Sequence, residues 1–114
     1  MDELLKQALL YDFYGELLTD HQKEIYEQFI LEDLSLGEIA RDAGISRQGV
    51  HDLVKRCDRT LQEYEEKLHL VSRFLTVKEQ IHKIREILDQ EPAEDIWVLK
   101  SEIRKISDEI LEEL

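Results

Sequence analysis

Apolar residues recur at every third or fourth position through almost the whole chain, and no stretch alternates apolar with polar as a strand would. Four glycines and one proline are all that interrupt 114 residues. Long helices therefore meet few obstacles, and the expected fold class is all-α.

The spacing predicts a first helix over about residues 2–18, with Leu5, Leu9, Phe13 and Leu17 on one stripe and Tyr11 and Tyr14 nearby. Thr19 followed by Gln22, and Ser35 followed by Glu38, have capping-box spacing, so helices should begin at both points. In the first of these, Ile25, Phe29 and Ile30 should face inward. Gly44 should end the second. Ser46 is then the N-cap of a long helix whose stripe runs Val50, Val54, Cys57, Leu61, Tyr64, Leu68, Val71 and Leu75. A second stripe, Leu70, Phe74, Val77, Ile81, Ile84 and Leu88, lies one position out of phase. Helix is expected through most of 47–90, with Thr60–Glu63 and Thr76–Glu79 as candidate breaks. Pro92 marks a linker near 89–95, because proline cannot continue a helix. A last helix should carry Ile96, Leu99, Ile103, Ile106 and Ile110 inward. This divides the chain into an N-terminal region, 1–60, and a C-terminal helical hairpin, 61–114.

Residues 36–55 have the pattern of two helices crossing steeply through a short turn, a helix-turn-helix. Ala40 is small where the second helix passes, and Gly44 suits a backbone turn that a β-carbon would strain. Ile39, Ala43, Ile45, Val50 and Leu53 are expected to fill the wedge. Helical period then puts Ser46, Arg47, Gln48, His51, Asp52, Lys55 and Arg56 on the exposed face of the second helix. Arginine pairs with guanine and glutamine with adenine in a major groove, whereas Lys55 and Arg56 suit phosphate. Asp52 suits phosphate poorly but can accept from cytosine. The same side chains also fit an ordinary solvated surface.

Charge sharpens the question. The chain has 27 acids against 15 bases, a formal net charge of −12. Residues 35–60 hold five bases (Arg41, Arg47, Lys55, Arg56, Arg59) and four acids (Glu38, Asp42, Asp52, Asp58), whereas residues 1–34 and residues 61–114, each taken as a whole, are net acidic. Nonspecific DNA affinity comes from neutralising phosphates, so any nucleic-acid contact should be local and geometrically selected.

The stretch from "LLTDHQKEIYEQFILEDLSLGEIA" through "SRQGVHDLVKRCDRTLQEYEEKL" resembles the YlxM family of small bacterial proteins, and its helix-turn-helix resembles region 4 of sigma-70-type factors. The resemblance implies a DNA-binding regulatory protein that takes part in the signal recognition particle pathway. In the alternative it implies a module that contacts protein or RNA components of that particle without binding DNA. The family commonly has alanine and tyrosine where this chain has Gly49 and His51, which alters the contact face.

Other chemistry is weakly signalled. The four histidines, His21, His51, His69 and His82, lack metal-ligand spacing, and no cofactor is expected. Cys57 lies on an apolar stripe, where it reads as a small buried hydrophobe, and as the single cysteine it excludes an intrachain disulfide. No Ser–His–Asp set or phosphate loop stands out, so an enzyme is not expected. Trp97 is expected to pack in the core. No apolar run approaches the roughly 18 residues of a membrane span, and "MDELLKQALL" lacks the features of a signal peptide. A cytoplasmic protein without membrane insertion is expected. The three-and-four spacing of the C-terminal half suggests a homodimer.

Overall fold

A computed structural model describes residues 2–90 and 95–114. Among them the chain forms six α-helices and no strand: α1 (Glu3–Tyr14), α2 (Asp20–Ile30), α3 (Leu36–Ala43), α4 (Arg47–Leu68), α5 (Leu70–Leu88) and α6 (Ile96–Glu113). They belong to two compact units, residues 1–69 and 70–114.

The first helix is shorter than its periodicity suggests. It ends at Tyr14 and tightens into a 3₁₀ turn, Gly15–Leu17. Its inward face also differs from the expected stripe: Leu10, Tyr11, Tyr14 and Leu18 are buried, whereas Leu5, Phe13 and Leu17 are exposed. The tyrosines displace the aliphatics because their hydroxyls find partners inside the unit. Tyr11 donates to Glu27 on α2, and Tyr14 donates to Glu65 on α4 across 2.5 Å. Gly15 makes room for this, since a β-carbon there would stand 2.7 Å from the Tyr11 ring.

Both expected capping boxes are formed. Thr19 Oγ1 accepts from the Gln22 amide while the Gln22 side chain accepts from the Thr19 amide, and Ser35 and Glu38 repeat the arrangement. From α2, Ile25, Tyr26 and Ile30 enter the core, and Phe29 is half-buried. Helix α4 supplies Val50, Val54, Cys57 and Leu61, all buried. This helix is the spine of the unit, and α1, α2 and α3 all pack on it.

The long helix breaks at neither Thr60 nor Thr76. It ends at Leu68, where His69 adopts a left-handed backbone (φ 57) and its amide donates to the Glu65 carbonyl. Histidine is among the non-glycine residues that tolerate this conformation best, so a break needs neither glycine nor proline.

In the second unit α5 and α6 pack antiparallel, with Lys83 and Ile87 facing the level of Glu109 and Glu102 across a shared groove. From α6, Ile106 is buried, and Leu99, Ile103 and Ile110 are half-buried, whereas Ile96 is exposed. Trp97 does not enter a core; it is 72% exposed, with the Lys100 ammonium 5.3 Å from its ring centre. The expected linker near 89–95 lies mostly outside the described residues. No described helix is long and apolar enough to cross a membrane.

Candidate nucleic-acid interface

The turn between α3 and α4 is held by its backbone. Gly44 is left-handed (φ 70), and the amides of Gly44 and Ile45 both donate to the Ala40 carbonyl. This closes the C-terminus of α3 and turns the chain within three residues. Ser46 then starts α4, its hydroxyl accepting from the Gly49 amide at 2.9 Å. A β-carbon at Gly49 would lie 3.1 Å from that hydroxyl, so the glycine leaves the cap uncrowded.

Ile39 and Val50 are wholly buried between the helices, Ala40 is buried beside them, and Leu53 is half-buried. Two residues expected in the wedge are elsewhere. Ala43 is exposed, and Ile45 is 38% exposed. Ile45 precedes the N-cap, a position from which a side chain folds over the first turn of the helix rather than between the two helices. Its Cδ1 would stand 3.8 Å from a β-carbon at Gly49.

All seven side chains proposed for contact, Ser46, Arg47, Gln48, His51, Asp52, Lys55 and Arg56, are exposed. They follow one another over the first three turns of α4. Asp52 organises the middle of the face: Gln48 Nε2 donates to its Oδ1 at 2.9 Å, and His51 Nδ1 stands 3.7 Å from the same oxygen. No ion pair among the described residues involves Arg47, Lys55 or Arg56.

Arg59 belongs to the same surface, beyond the seven residues that the sequence singles out. It is exposed one turn beyond Lys55, on the side opposite buried Leu61 and Cys57. Its signal was present in the sequence, because Lys55 and Arg59 are four apart and therefore share a helix face. Asp58, by contrast, turns away from the face. It accepts from Gln7 Nε2 (3.0 Å) and Tyr26 (2.5 Å) inside the unit.

Cys57 offers no reactivity here. Its side chain is buried, and burial first, then the Asp58 charge, pushes the thiol up to about 11 against the opposing Arg56. The four histidines sit apart, His21 on α2, His51 on α4, His69 between helices and His82 on α5.

Comparison with known proteins agrees with this architecture. Residues 1–101 match the model of the UPF0122 family, described as "Putative helix-turn-helix protein, YlxM / p13 like". A UPF0122 protein of Caldanaerobacter subterraneus is 52% identical over 87 residues, covering 76% of this chain and 74% of its own length. One from Thermoanaerobacter sp. is 45% identical over 115 residues, covering 99% of this chain and 94% of its own. Another from Acetivibrio thermocellus is 42% identical over 114 residues, covering all of this chain and 97% of its own.

Proposed function

Because the chain belongs to the UPF0122 family of helix-turn-helix proteins, we propose that it is a regulatory protein that binds DNA through the first turns of α4. The observation that carries this reading is the exposed face on which Arg47, Lys55 and Arg56 stand without ion-pair partners among the described residues. Arg47 and Gln48, in the first turn, are suited to base edges. Lys55, Arg56 and Arg59 suit the flanking phosphates. The net acidity of the chain acts as a filter, since a formal charge of −12 opposes nonspecific contact with DNA. The family resemblance connects this activity to the signal recognition particle pathway.

One observation favours a second reading. Residues 1–34 hold nine acids against two bases, a surface suited to a basic protein partner. In that reading the module contacts protein or RNA components of the particle and does not bind DNA.

Two experiments separate the readings. Selection of duplexes from a random pool should enrich one sequence, and Arg47→Ala should cost about 1–3 kcal/mol on it and relax its preference. A pool that stays unenriched overturns the DNA reading. A pull-down from lysate, with and without nuclease, tests the alternative, for which partners must survive nuclease or be identified as the particle's RNA.

A further inference from the structure

The second unit has almost no interior of its own. Of its described residues only Val71 and Ile106 are buried, although two amphipathic helices supply it with aliphatics throughout. Two helices lying side by side cover one stripe of each, and a stable core ordinarily needs a further layer. The missing layer can be located. The stripe Val77, Ile81, Ile84 and Leu88 advances in alternating steps of four and three, the spacing of a helix–helix seam. Yet Ile81 is 47% and Leu88 59% exposed. Phe74, Val77 and Ile81 floor a cleft of about 330 Å³, and its rim is basic: Lys78, His82 and Arg85.

An occupant for this cleft must be an apolar helix edge with acidic flanks. Nucleic acid has the wrong chemistry for an aliphatic floor, and a second α5 would bring Lys78 and Arg85 against their own copies. Helix α6 carries the complement. Leu111, 68% exposed, is flanked by exposed Asp108 and Glu112. Antiparallel packing brings the C-terminal half of α6 level with the second half of α5, where Ile81 and Arg85 lie, so a two-fold rotation about an axis along the helices sets these surfaces at matching heights.

We propose that the second unit is an interface between two copies of this chain, in which α5 of each copy receives the C-terminal half of α6 of the other. The product is a four-helix bundle built from two hairpins, closed by an isologous two-fold contact. Ile81 and Leu88 leave water against the partner's α6, and Lys78 and Arg85 face the partner's Asp108 and Glu112. The interface does not depend on what α4 binds.

Two charge-reversed forms of the full chain test it by light scattering at micromolar concentration, with circular dichroism as a check on helicity. The unaltered chain should have twice its 13.6 kDa mass. The Lys78→Glu/Arg85→Glu form and the Asp108→Lys/Glu112→Lys form should each be monomeric and helical. Mixed in equal amounts they should regain the dimer, because each copy then presents the sign the other requires at both contacts. An unaltered chain that is monomeric overturns the proposal. So does a mixture that stays monomeric, and so does a dimer formed by Lys78→Glu/Arg85→Glu as readily with the unaltered chain as with the other form, which is the mark of α5 pairing with α5.

Discussion

The Tyr26 hydroxyl donates to Asp58 Oδ1 across 2.5 Å, and the same carboxylate accepts from Gln7 Nε2 through both oxygens, at 3.0 and 3.1 Å. One side chain of α4 thereby joins α1 and α2. Tyr11 to Glu27 links α1 with α2, and Tyr14 to Glu65 links α1 with α4. Each pair among these three helices is thus tied by a tyrosine donating to a carboxylate. Hydrogen bonds to charged acceptors contribute about 1.5–3 kcal/mol. Tyr26→Phe should therefore lower the unfolding free energy by about that amount, read from the urea midpoint at unchanged slope. Asp58→Ala should cost more, because it strands the wholly buried Tyr26 hydroxyl and the Gln7 amide together. Equal midpoints for the three proteins would show that the helices are held by apolar packing alone.

The same contacts make the fold sensitive to alkali. Burial, then the hydrogen bond to Glu27, raises the Tyr11 hydroxyl above its ordinary 10.0. Burial, then Asp58, raises Tyr26. Cys57 rises from 9.0 to about 11. Each group holds its proton more tightly folded than unfolded, so in these ranges the unfolded chain binds fewer protons and stability falls as pH rises. The loss begins near 9 with Cys57, continues to about 11, and is joined above 10 by the two tyrosines. Each group contributes a slope of at most about 1.4 kcal/mol per pH unit. Urea midpoints should be level between neutrality and about pH 8.5 and should fall by about pH 10.5, less steeply in Tyr26→Phe. A level curve across this range would contradict the burial of all three groups.

Legibility in the sequence followed the physics of each signal. Capping boxes at Thr19 and Ser35 and the turn at Gly44 were readable because each rests on a local hydrogen bond or a single backbone conformation. The exposed face of α4 was readable because helical period alone sorts Arg47, Gln48 and Lys55 from Val50 and Val54. What period could not tell was which of two apolar faces a helix would bury. On α1 the tyrosines won over Leu5 and Leu17 because distant residues, Glu27 and Glu65, satisfy their hydroxyls. Trp97 reads as core because large aromatics usually are, yet its unit of two helices, in which Val71 and Ile106 are the buried residues among those described, has too small an interior to hold it. The break at His69 leaves no local signature, since histidine is only tolerant of a left-handed backbone and does not demand it.

Two glycines beside the turn should respond to alanine with opposite signs. Gly44 has φ 70, so a β-carbon is strained there whatever the space around it, at about 1–2 kcal/mol. Gly37, in the first turn of α3, has ordinary helical backbone, and its nearest neighbours would be Arg47 Cδ and Ser35 Oγ, both at 3.9 Å. Gly37→Ala should stabilise by about 0.4–1 kcal/mol through the unfolded chain. Melting temperatures moving in opposite directions would support the turn as described. A Gly44→Ala protein as stable as the unaltered chain would place the turn elsewhere.

The sign of charge along α4 should govern how its face meets DNA. Asp52 stands among Arg47, Lys55, Arg56 and Arg59, and its carboxylate holds Gln48 in place. Asp52→Asn keeps an oxygen that can accept from Gln48 while removing the one acid on this face. With charges several ångströms apart in water, the gain is of the order of 1 kcal/mol or less, a roughly two- to fivefold tighter grip at low salt. That gain should fade as the screening length shortens towards about 8 Å at physiological ionic strength. Arg59→Ala should act oppositely, weakening all sequences alike and reducing the slope of log affinity against log salt by about 0.9, the signature of one lost phosphate contact. Fluorescence anisotropy of a labelled duplex across a salt series reads both effects. If Asp52→Asn, Arg59→Ala and the unaltered chain bind with the same affinity at low salt, this face does not meet phosphate, and the DNA reading fails with it.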